Sequence, residues 1–126
     1  MGSPNVRDPS TFDAWVHAIA IISSNKNVFV KVGGLLQYFK DDGKLPSISQ
    51  QAPFVLVTLR TFGFGRAMFE SNWFFANWPD RMDVYSFWLS TLRAILGASA
   101  SYEHLEQLFF RSAEIAYRVS AVAQWT

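Results

Sequence analysis

The stretch RAMFESNW, residues 66–73, closes a short apolar run with a carboxylate, a hydroxyl and a carboxamide: Glu70, Ser71 and Asn72. A carboxylate can take up or deliver a proton, and an amide or hydroxyl can orient a water or a carbonyl. Polar groups at the end of a buried strand are how parallel α/β proteins build their sites. Strand alternation puts Met68, Glu70 and Asn72 on one face, with Ala67, Phe69 and Ser71 on the other. In the earlier apolar segment VFVKV, residues 28–32, Lys31 shares a face with Phe29, opposite Val28, Val30 and Val32. A lone buried Glu or Lys is costly, so the pattern predicts a Lys31–Glu70 ion pair across two adjacent strands. Structural pairing is the simpler role for it; substrate binding or catalysis is the alternative.

Other residues with chemical potential are fewer. Trp73, Phe74, Phe75 and Trp78 could line a pocket for a ring-shaped substrate, or pack into the core or against a partner. The two histidines, His17 and His104, fall on predicted helices far from either strand end, and no H-x-H occurs. Surface or helix-flank histidine is the expected role for both, and no metal site is expected in this chain. Lys40, Asp41, Asp42 and Lys44 surround Gly43 in what reads as a solvated loop. A Gly-rich phosphate loop, a G-x-S-x-G elbow and nucleic-acid signatures are all missing from the sequence.

The elements that must hold these residues follow from periodicity and punctuation. Pro4 and Pro9 read as breakers in an opening loop, and Ser10 reads as an N-cap with Asp13 three residues on. Phe12, Trp15, Val16, Ile19 and Ile22 recur at helical spacing, predicting a helix over 11–23. A strand over 28–32 stops at Gly33-Gly34, and a loop leads to a helix over about 50–62. A second strand spans 66–71, and a helix over about 83–96 turns Phe87, Trp88, Thr91, Leu92 and Ile95 inward. Ser101 caps a last helix over 102–119, striped by Leu105, Leu108, Phe109, Ala116 and Val119, with an i,i+4 pair between Glu114 and Arg118. Strand, crossover helix and strand make a parallel unit. Two parallel strands alone would leave open edges.

Length bounds the chain at one domain, residues 1–126. Its net charge of +1 gives no electrostatic case for nucleic acid or an anionic membrane surface. No run reaches the roughly 20 apolar residues of a membrane span, and no secretory signal follows Met1. The lack of cysteine removes disulfides and thiolate chemistry and fits a cytoplasmic location. Aromatics are plentiful, with twelve Phe, five Trp and four Tyr, more than a small interior readily takes. A large partner surface, in a homo-oligomer or with a partner chain, or a larger parent architecture is the expectation.

In order and spacing, NVFVKVGGL, FGFGRAMFESNWF and LFFRSAEIAYRV resemble the C-terminal part of an amidohydrolase-related (amidohydrolase family 2) TIM-barrel hydrolase, a group that includes lactonases. The MGSP start resembles the stretch after that family's sixth-strand histidine. The resemblance implies an α/β fold: the last two parallel strands of a (β/α)8 barrel with about four helices, the other six strands lying outside this chain. It implies hydrolysis of a lactone, amide or related bond of a small-molecule substrate at the C-terminal mouth of the strands. Many relatives hold a divalent metal such as zinc through early-strand histidines and a last-strand aspartate. Here that aspartate's position is Asn72, a poor substitute for a carboxylate ligand. Phe74 stands where the family has proline, and Gly33 where it usually has serine. Asn72 and Glu70 are thus the candidate catalytic residues, Asn72 orienting water or substrate and Glu70 acting as base. Lys31 and Trp73 are the candidate substrate-binding residues. The alternative is a non-catalytic module that associates through exposed aromatics and strand edges.

Overall fold

A computed structural model describes residues 8–36, 45–72 and 83–119. Helix α1 (Pro9–Ser23) leads into strand β1 (Val30–Val32), helix α2 (Ile48–Phe62), strand β2 (Ala67–Phe69) and helix α3 (Val84–Leu96). Then come α4 (Tyr102–Glu106), a π-helical turn (Gln107–Arg111) and α5 (Ser112–Tyr117), continuous with one another. The described residues are mostly helical around one small parallel sheet, a partial α/β fold.

The strands pair as the sequence predicts: β1 lies parallel to β2, with Val30 opposite Ala67, Lys31 opposite Met68 and Val32 opposite Phe69. Both are shorter than expected, three residues each instead of five and six. Ladder pairing ends where the chain turns away, although the Glu70 N–H still donates to the Val32 carbonyl at 3.2 Å. Val30 and Val32 are buried while Lys31 is exposed, so the predicted alternation holds.

Helices cover the valine side. Val55, Leu59 and Phe62 of α2 and Trp88, Leu92 and Leu96 of α3 join Val30, Val32 and Ala67 in one core with Ile19 and Leu108. Trp88 is 1% exposed, and its indole N–H donates to the Val32 carbonyl at 3.3 Å, so the ring brings no orphaned donor into the interior. Phe12 and Trp15 of α1 meet Phe54 of α2 at 5.3 and 5.7 Å between ring centres.

Two boundaries differ from expectation for clear reasons. Asp8, not Ser10, caps α1: its carboxylate accepts the Ser10 N–H at 3.0 Å, and Pro9 opens the helix. Proline at a first helical position costs no hydrogen bond and arrives with φ already helical, so Pro9 starts the helix instead of breaking it. At the other end the last helix stops at Tyr117, because Arg118 takes a left-handed conformation with φ 53°. The expected Glu114–Arg118 pair is therefore replaced: Glu114 pairs with Arg111 at 3.2 Å. The π turn also brings Glu106 to Arg111 at 3.1 Å, since its wider winding sets residues five apart on one side. Ser101 caps α4 as expected, its hydroxyl accepting the His104 N–H at 3.2 Å.

Candidate functional site

The site is built on the two strand ends. Because β1 and β2 run parallel and in register, the side chains of Lys31 and Met68 fall on the same side of the sheet, and Glu70 follows two residues later. The Lys31 ammonium and the Glu70 carboxylate meet at 2.8 Å, forming the predicted cross-strand ion pair. The expectation that the pair lies in the interior is not met: the Lys31 side chain is 51% exposed and that of Glu70 26%. Met68, between them in register, is buried. Solvent reaches the charges, so each is spared most of the desolvation cost of a buried ion.

Lys31 has a second neighbour that sequence reasoning missed. Its ammonium lies 6.0 Å from the ring centre of Tyr117, at the end of α5, within reach of a cation–π contact. Hydrogen bonding to Glu70, then to the Tyr117 hydroxyl, then the Glu70 charge, raise the Lys31 pKa above its ordinary 10.5 against a small opposing effect of burial. Tyr117 lies 86 residues from Lys31, and periodicity within a helix says nothing of where its end will dock.

Gly33 sets how closely the strand ends approach. A Cβ at this position would stand 1.9 Å from the Glu70 carbonyl oxygen, so only glycine fits against β2 here. Beyond Glu70, Ser71 and Asn72 are half-buried and outside the ladder. Asn72 has φ 48°, in the left-handed region that asparagine enters more readily than most residues. Alternation therefore stops directing side chains before Asn72, and its expected position on the Glu70 face does not follow from strand geometry. Trp73, Phe74, Phe75 and Trp78 lie outside the described residues, as do Lys40, Asp41, Asp42 and Lys44.

The described residues do not assemble the donors a divalent metal needs. No three His, Cys, Asp or Glu side chains cluster among them. His17 is exposed on α1, while His104 stacks on Phe64 at 4.3 Å and accepts the Ser101 N–H at its Nδ1. What the geometry offers is a cation and a carboxylate at bonding distance, flanked by a phenol, beside a strand exit that holds a carboxamide.

A search of solved structures matches an amidohydrolase from Burkholderia multivorans whose crystal structure holds bound HEPES. The TM-score is 0.76 at 19% sequence identity, over 93% of this chain. The chain shares its fold with part of that amidohydrolase. It spans 42% of that protein's length. No protein-family model matches the sequence, and no curated protein matches it. Among the described residues no helix is long and apolar enough to cross a membrane.

Proposed function

We propose that the chain supplies the closing strands of a hydrolase of the amidohydrolase type, the last two of a (β/α)8 barrel, acting on a lactone or amide of a small molecule. One observation carries this reading: a parallel strand pair whose ends bring Lys31 and Glu70 together, in a chain that shares its fold with part of an amidohydrolase. Glu70 is the candidate base for the attacking water, and Lys31 holds that carboxylate in place. Asn72 orients water or the scissile carbonyl through its amide, and Trp73 contacts the ring of the substrate. No step is routed through a metal, since the described donors do not form a site for one. A reducing, cytoplasmic setting belongs to the same reading and is supported by the lack of cysteine.

The test is hydrolysis of simple lactones by the purified chain, followed by pH-stat titration of released acid. Turnover that disappears in Asn72→Ala and in Glu70→Gln is the expected result. Turnover unchanged in both variants would remove these residues from the chemistry. A second reading is supported by Phe110, Ile115 and Val119, apolar residues of the last helix and its exit that are 49%, 63% and 59% exposed. In that reading the chain associates with copies of itself or a partner chain and does no chemistry alone. Elution above the monomer mass together with no hydrolysis would favour it.

A further inference from the structure

We propose that Tyr117 is a positioning residue for Lys31: its hydroxyl takes a hydrogen bond from the ammonium and holds it on Glu70, making the end of the last helix a third side of the site. This deepens the reading of the strand ends as a site and rests on it. A lysine has a long flexible stem and three donors on a compact charge. On a half-exposed surface, one carboxylate leaves that stem much of its freedom. Lys31 has two partners instead of one, Glu70 at 2.8 Å and Tyr117 with its ring centre at 6.0 Å. They come from separate elements, β2's exit and α5, so together they fix the direction of the ammonium. With one N–H on the carboxylate and one on the phenol, the third remains for a ligand oxygen, a carbonyl or a carboxylate. The phenol, acting as acceptor toward lysine, keeps its own O–H for the same ligand.

Placement of α5 follows from contacts that do not involve Lys31. Ser112 donates through its hydroxyl to the Phe64 carbonyl at 2.8 Å, and Phe109 packs on Phe69 at 5.0 Å. These anchor the helix against the approach to β2 and against β2 itself, so the reach of Tyr117 is set by packing elsewhere. Tyr117 is 58% exposed, so removal of its hydroxyl alone should leave the fold intact.

The test is acylation of the whole chain by acetic anhydride at fixed pH, read lysine by lysine by peptide mass spectrometry. Lys26, exposed in the turn after α1, is the internal reference. Tyr117→Phe keeps the ring and removes the hydroxyl. It should raise the Lys31 rate relative to Lys26 by about two- to tenfold, the factor that one hydrogen bond supplies. Glu70→Gln should raise it as well. Val119→Ser, a change at the same exposed helix exit, should leave it unchanged. A Tyr117→Phe chain that labels as the native one does, or a Val119→Ser chain that labels like Tyr117→Phe, would overturn the proposal. So would equal labelling of both lysines in Tyr117→Phe, the sign of a lost fold. Because the readout needs no turnover, its failure would leave the hydrolase reading standing, and an absence of hydrolysis would leave this contact standing.

Discussion

At the scale of single residues, Gly33 is where the strand ends are most sharply constrained. Its missing side chain lets the Glu70 carbonyl sit where a Cβ would be, 1.9 Å away. The obstructing atom is backbone, so no rotamer change relieves the clash. Gly33→Ala should cost about 1–3 kcal/mol in urea unfolding, the usual range for overpacking, and Gly33→Ser at least as much. A native-like midpoint for either would contradict the close approach. The ion pair makes a smaller contribution. With half of the Lys31 side chain in solvent, Lys31→Met should change stability by only about 0–1 kcal/mol. Its pH dependence has a fixed sign. Glu70, then Tyr117, raise the Lys31 pKa above 10.5, so its stabilising contribution is complete below that pH and is lost as pH climbs through the higher folded value. A native chain whose stability falls above pH 10.5 more steeply than that of Lys31→Met is the expected result. Parallel curves would count against the pair. The partnership of Lys31 and Glu70 was legible in the sequence because period-two alternation fixes faces. Asn72 was not placed by the same logic, because its positive φ takes it out of the extended backbone on which alternation depends.

At the scale of elements, helices were legible wherever an apolar stripe ran long enough to show its period. α2 and α3 start and stop within two residues of expectation, with Ser47 and Asp83 as caps. The misplaced features all rest on interactions that are not periodic. A proline that opens α1, a π turn inside the last helix and a left-handed Arg118 each depend on local backbone chemistry. Arg66 is the clearest case of a residue whose importance is invisible in its own segment. One guanidinium nitrogen donates to the carbonyls of Ser23, Asn25 and Val28 at 3.0, 3.1 and 3.3 Å, and its Nε donates to Phe62 at 3.2 Å. It thereby ties the ends of α1 and α2 to the entry of β1, at the end of the sheet opposite the ion pair. Arg66→Ala should lower stability by about 2–3 kcal/mol, since several carbonyls lose a charged donor together. Arg66→Lys should recover only part of this, because a point charge cannot reproduce the planar fork. Equal stability of the Lys variant and the native chain would show that charge alone suffices.

At the scale of the molecule, two short parallel strands carry helices on their valine side and charge on the other. The order of elements, and hence the parallel pairing, could be read from the chain because a crossover helix between two strands leaves little other choice. Everything assigned to Lys31, Glu70, Asn72 and Tyr117 depends on β1 and β2 lying side by side in one direction. Interstrand nuclear Overhauser effects report that most directly. The expected result is a set of Hα-to-amide contacts that advance together along both strands, from Val30 with Ala67 to Val32 with Phe69. Close Hα–Hα contacts that advance along one strand while receding along the other would mean an antiparallel pair, and the site would not exist.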